Sequence, residues 1–278
     1  MDDNRTPLSG SVPWHAPRAS SRRTLLSARQ REVIISICSP VVILVLWEIM
    51  VRTRLLDARF FPAPTSIVGT FMDMVQSGEL FTHLFASLSR VAIGFVMGAV
   101  PAVVLGIVVG RTRLVRAFVK PLIYALYPVP KVAILPLVML IFGYGEASKY
   151  VTIAIAVFFL NAAGIIAAVA QMDTVYFDVA RNFRVSRSAL YLRVILPGAL
   201  PPILTNLKLS LGIALIVLVT AEFVATDSGL GVVIFQSWQT FAIERLYVGL
   251  VVVSALGYLL TLLFDEVERL IIPWRRSA

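Results

Sequence analysis

Apolar positions along this chain fall in long runs rather than in stripes spaced for one face of a soluble helix. A helix needs about 20 apolar residues to cross a hydrocarbon core, and six stretches approach that length: 33–51, 85–110, 117–143, 150–171, 201–226 and 246–272. The second has the uncharged centre VAIGFVMGAVPAVVLGIVV, and the fourth is uncharged throughout. The third is interrupted by Pro121, Pro128, Pro130 and Pro136, with Lys131 among them. It reads as a helix along the interface followed by a short crossing segment, because broken backbone is tolerated at membrane depth only where protein or water covers it. Residues 1–32 are polar, aperiodic and rich in Arg, Pro and Ser, the composition of a disordered tail. No small-residue cleavage site follows the 33–51 run, so it is expected to be a retained first span rather than a signal peptide.

The second span carries small residues at every fourth position: Gly94, Gly98, Ala102, Gly106 and Gly110. That spacing puts them on nearly one helix face, where a neighbouring backbone can approach closely. The stripe is expected to serve packing within the bundle, with a dimer seam as the other reading.

Composition agrees with the runs. Of 278 residues, 58% are hydrophobic and 15% charged, against about 45–50% and 25% in soluble domains. One cysteine, Cys38, excludes a disulfide framework within the chain, and two histidines cannot build a histidine metal site. The net charge of +9 is explained by placement. Basic residues cluster in the amino-terminal tail (Arg5, Arg18, Arg22, Arg23, Arg29, Arg31), in the second loop (Arg111, Arg113, Arg116, Lys120), at 181–193 (Arg181, Arg184, Arg187, Arg193) and at the carboxyl end (Arg269, Arg275, Arg276). The opposite side holds Arg52, Arg54, Arg59, Lys149 and Arg245. The positive-inside rule then puts both termini in the cytoplasm. The excess charge is a topology signal, and nucleic acid is not an expected partner.

The motifs of covalent chemistry are missing. There is no G-x-x-x-x-G-K-[ST], H-E-x-x-H, C-x-x-C or G-x-S-x-G. GYG at 143–145 matches the end of a potassium filter, but Ile141-Phe142 precede it in place of Thr-Val. Uphill transport by this chain would therefore draw on an ion gradient or on another chain. Few polar groups lie within the spans. Glu48, beside Trp47, is expected at the interface, and Arg90 close enough to the outer end of its span to snorkel. Glu222, after LSLGIALIVLVTA, is either part of the pathway or outer gate, or a structural hydrogen-bonding group. Asn161, Asn206 and Thr220 read first as polar contacts between helices, Asn161 remaining a pathway candidate.

The segment 178–203 is basic and proline-broken between two apolar runs. Val175, Val179 and Phe183 form one stripe, Asp173 or Thr174 can cap the start, and Ser186 or Ser188 can cap a second short helix carrying Leu190 and Val194, stopped by Pro197. A loop resting on anionic lipid explains the arginines but not two capped helices. A docking element for a cytoplasmic protein explains both.

Here the residues resemble a family. Asp178-Val179-Ala180, then Arg184, then Val194, Leu196 and Pro197 match in spacing the E-A-A, three residues, G, nine residues, I-x-L-P loop of ABC importer permeases. Trp47-Glu48, FPAPTSI (61–67), SGELFTHLFASLSRVAIGF (77–95), PVPKVAILPLVMLIFGYGEASK (128–149) and AEFVATDSGLG (221–231) resemble the nitrate/sulfonate/taurine-type branch. The likeness spans about 47–272.

The resemblance implies an all-α integral membrane protein of the type I ABC importer (MetI-like) fold, with six transmembrane helices and two short cytoplasmic coupling helices. A disordered cytoplasmic tail (1–32) would precede a transmembrane permease domain (33–272), with the type-1 core at about 80–268 and the coupling segment at 174–196. The implied chain is a non-enzymatic permease subunit in the bacterial inner membrane. It would bind no cofactor, ATP and Mg belonging to a partner ATPase. Its partners would be a second permease copy or close paralogue, two ABC ATPase subunits, an extracytoplasmic binding protein and the lipid bilayer. The cargo would be a small anion such as an aliphatic sulfonate, taurine or nitrate. An ion-gradient-coupled secondary transporter is the alternative. Two departures stand out: Asp178 is one methylene shorter than Glu, and Arg184 replaces a glycine where φ > 0 costs a non-Gly residue roughly 1–2 kcal/mol.

Overall fold

The computed structural model describes residues 28–224 and 226–272. Most of the expected disordered tail, together with Arg275 and Arg276, lies outside them. The chain divides into two compact units, one ending at Trp47 and the other beginning at Glu48. Helix α1 (Ala28–Arg52) contains the apolar run 33–51 and continues through Pro40.

In the second unit, α2 (Pro64–Gln76) precedes the long α3 (Glu79–Arg111). After α4 (Arg113–Leu126), a 3₁₀ turn (Lys131–Ile134) leads into α5 (Leu135–Phe142). α6 (Glu146–Ala170), α7 (Thr174–Asn182), α8 (Arg187–Leu190), α9 (Leu196–Glu222), α10 (Leu230–Gln239) and α11 (Ile243–Ile271) complete it. Four helical stretches among the described residues are long and apolar enough to span: α3, α6, the continuous Ser188–Glu222, and α11. The proline-rich third stretch is a bent pair, with α4 meeting the 3₁₀–α5 segment at 86°.

The core forms where α3 lies along α6, the most extensive helix pair in the unit. The small-residue stripe explains the approach. A Cβ built on Gly98 would stand 2.4 Å from the Ala154 carbonyl oxygen, one on Gly94 2.7 Å from Ile153, and one on Gly106 2.5 Å from Ile165. Ala102 on the same face has no solvent exposure. The stripe thus faces a helix of the same chain. Behind it, Ile165, Val169, Ile195, Ala199 and Ile203 join α6 to α9.

Pro197 does not stop a helix, contrary to the reading of the sequence. The chain runs from α8 through a π-turn (Tyr191–Ile195) directly into α9, where Pro197 occupies the first turn. A proline ring clashes with the carbonyl four residues back and donates no hydrogen bond. The wider π-turn, in which Leu196 N–H bonds to Tyr191 O, loosens the ladder there. The expected second short helix is therefore the first turn of a 35-residue stretch.

Candidate functional site: a buried ion cluster and an outward-facing turn

The helix α3 continues its small-residue face toward its amino end as a polar one: Glu79, His83, Ser87 and Arg90 precede Gly94 at helical spacing. Arg90 does not snorkel to the interface; its side chain is 3% exposed and its guanidinium is turned inward. It forks onto Glu146 at the start of α6, with Nε donating to Oε2 at 2.6 Å and Nη2 to Oε1 at 2.7 Å. The planar guanidinium fits this bidentate geometry. Nη1 donates to Glu222 Oε1 at 2.8 Å and to the Ser228 carbonyl; Nη2 also reaches Thr226 Oγ1 and Ser228 Oγ.

Glu222, at the end of α9, is fully enclosed. Its Oε1 accepts from Arg90 and Ser87, and its Oε2 accepts from Ser87 and from the Gly231 N–H at 2.8 Å. Ser87 Oγ in turn accepts from the Leu230 N–H at 2.8 Å. The amides at the start of α10 thereby gain partners that its own helix cannot supply. His83 Nδ1 accepts from the Gly229 N–H at 3.0 Å. Lys149 Nζ lies 3.2 Å from Glu146 Oε1, and Glu79 pairs with Arg245 of α11.

Glycines make this closure possible. Gly229 adopts φ +127°, and a Cβ there would stand 2.4 Å from the Glu222 carboxyl carbon; one on Gly231 would meet the Val219 carbonyl at 2.6 Å. The DSGLG loop is folded onto the carboxylate. Both oxygens of Glu222 are engaged within the chain, so in this conformation the group ties three helices and a loop together. Arg90 and Glu222, two of the pathway or gate candidates, are thus one cluster. Asn161 lies apart from their contacts, buried in α6 with its amide donating to Val157 O and its Oδ1 unpartnered.

Sequence reasoning missed Glu146, Ser87, Thr226 and Ser228. The polar positions leading into the glycine stripe were the available signal for Ser87. Glu48, expected at the interface, pairs with Arg52 and accepts from Thr65 N–H and Oγ1 at the start of α2.

The second feature is the α7 region. Asp173 caps α7, its Oδ1 accepting from Val175 N–H at 2.9 Å. At the other end, Val185 N–H bonds to Ala180 O and Arg184 N–H to Arg181 O, the paired bonds of a Schellman closure. That closure needs a left-handed residue, and Arg184 fills it with φ +50°. The arginine occupies a conformation that a glycine would adopt more cheaply.

The stripe on α7 turns outward. Val175, Val179 and Phe183 are 59%, 49% and 80% exposed, while Ala180 is buried beneath them. With Val194 and Pro197 they line an apolar concavity of about 650 Å³. Asp178 is exposed on α7, and Leu196 is partly buried at the start of α9. Phe177 and Met172 pack on the α6–α9 cluster, and the Arg111 guanidinium stacks 4.2 Å over the Phe177 ring, fastening α7 to the end of α3.

The helices long and apolar enough to span, with the bent pair beside them, give the architecture of a multi-pass membrane protein. Residues 102–277 match the family described as binding-protein-dependent transport system inner membrane component, and the chain belongs to that family. It is 34% identical to a putative aliphatic sulfonates transport permease protein of Bacillus subtilis, covering 86% of each chain. It is 32% identical to the taurine transport system permease protein of Escherichia coli, covering 88% of this chain and 90% of the relative. It is 27% identical to a nitrate import permease protein of Synechocystis, over 92% and 98%. These relatives place it in the sulfonate/taurine/nitrate branch of ABC permeases. The fold resembles a solved chain of the MetNI methionine ABC transporter in an inward facing conformation, with TM-score 0.60 and 17% identity, covering 68% of this chain and 94% of that one.

Proposed function

We propose that this chain is the membrane-spanning subunit of an ATP-driven importer. Two copies, or one copy and a close paralogue, would form the pathway for a small anion: an aliphatic sulfonate, taurine or nitrate. An extracytoplasmic protein would deliver the solute, and two separate ATPase subunits would bind ATP and Mg. Six spans, counting α1 and the bent pair, would leave both termini on one side, and the distribution of basic residues supports the cytoplasm as that side. The relatives named for sulfonate, taurine and nitrate transport support the cargo class.

The observation that carries the reading is the α7 turn. Large apolar side chains face outward on a helix closed at both ends, and the same helix is fastened to α3, α6 and α9. Such a face costs free energy in water unless a partner covers it. A protein seated there moves α7, and the packed helices move with it as a rigid body. Asp178, Val179, Ala180, Arg184, Val194, Leu196 and Pro197 form or flank this element in the reading.

The test is association. The full-length permease in detergent should co-purify with its ATPase, and Phe183→Ser should reduce that association by about tenfold without lowering the melting point, since Phe183 is exposed. Undiminished association of Phe183→Ser and Val179→Ser variants would remove the α7 face from the reading.

A further inference from the structure

Several basic groups of the bundle have acidic partners. Arg90 pairs with Glu146 and Glu222, Lys149 with Glu146, and Lys208 with Asp265. Among the described residues, Lys131 instead donates to three backbone carbonyls, those of Leu126 (2.7 Å), Tyr127 (3.0 Å) and Val129 (2.8 Å). Its Nζ also lies 5.0 Å from the centre of the Phe159 ring, near the middle of α6. The carbonyls, at the carboxyl end of α4, take the three N–H donors of the ammonium, and among the described residues no carboxylate pairs with it.

Lys131 sits where the bent span turns, at the first residue of the 3₁₀ segment. The proline-interrupted backbone there cannot face lipid without leaving polar groups unsatisfied, and a bare ammonium in hydrocarbon is costlier still. The Lys131 side of the bend therefore faces water or protein. Half-buried, it presents a positive charge at mid-depth of α6.

We infer that Lys131 is a waypoint for the transported solute, its ammonium attracting a small anion as that anion passes the bend. The inference rests on the import reading above and adds to it a residue that selects for negative charge. Capping the α4 carbonyls is the other task the ammonium performs, and the two separate by substitution. Lys131→Gln keeps N–H donors for the carbonyls and removes the charge; Lys131→Arg keeps both.

The experiment reconstitutes the complete importer, with its own ATPase and binding protein, in liposomes. It follows uptake of taurine, ethanesulfonate and nitrate, alongside ATP hydrolysis and the melting point. For whichever anion the wild type imports, Lys131→Gln should cut uptake by about tenfold or more, with ATP hydrolysis stimulated by the binding protein and the melting point both retained. Lys131→Arg should import within about threefold of wild type. Uptake by Lys131→Gln equal to wild type overturns the inference and reduces Lys131 to a cap. Equal loss in both variants, with lowered melting points, overturns it as well. A wild type that imports none of the three anions overturns the import reading itself.

Discussion

Replacing Glu222 by Gln changes one heavy atom and preserves shape, yet the cluster leaves no orientation of the amide that works. If the new NH₂ stands at the Oε1 position, it opposes the Arg90 Nη1 donor 2.8 Å away. If it stands at Oε2, it opposes the Gly231 N–H, also at 2.8 Å. Either way a buried donor loses its acceptor, which costs about 1–3 kcal/mol. The lost negative charge also leaves Arg90 with Glu146 alone, a carboxylate whose side chain is 45% exposed. Together these give a destabilisation of about 2–4 kcal/mol, and Glu222→Ala should approach the 3–5 kcal/mol typical of breaking a buried ion pair. The assay is the midpoint of thermal aggregation in detergent, with hydrogen exchange at the Leu230 and Gly231 amides. Glu222→Gln should lower the midpoint and expose both amides, whereas exchange in α7, outside the cluster, should not change. An unchanged midpoint with unchanged amide protection would refute the hydrogen-bond assignment.

Other consequences follow from individual contacts. Ser87→Ala removes the acceptor of the buried Leu230 N–H and should cost about 1–3 kcal/mol, read from the same melting curve. Arg184→Gly should stabilise the α7 closure by up to about 1 kcal/mol, the relief at φ +50° exceeding the entropy glycine adds to the unfolded chain; slower hydrogen exchange at Val185 would show it. The same variant should bind an unrelated family ATPase more tightly than wild type does, because the turn then carries the family residue. Gly98→Leu should abolish recovery of folded protein, since even its Cβ would stand 2.4 Å from the Ala154 carbonyl and α6 would have to move.

The stretches that form α3, α6, Ser188–Glu222 and α11 were legible because a bilayer demands long apolar runs, and the α3 stripe because small residues at every fourth position mark a close helix contact. In α7 the apolar stripe and the Asp173 cap were legible through spacing, whereas the left-handed position at Arg184 was expected only from the resemblance to the importer loop. What escaped has a common cause. Arg90 and Glu222 are 132 residues apart, and Glu146 is 56 from Arg90. No local pattern joins them, and an arginine near a helix end reads by itself as snorkelling. Pro197 was misread for a related reason: a proline ends a helix unless the preceding turn widens, and the widening depends on how Ile195 and Ala199 pack against α6.

Energy input decides the account most directly. Sealed vesicles containing this chain, its ATPase and its binding protein should import labelled solute only with internal-facing ATP and external binding protein, at a rate unaffected by dissipating proton and sodium gradients. Uptake by the permease alone, driven by either gradient without ATP, would contradict it.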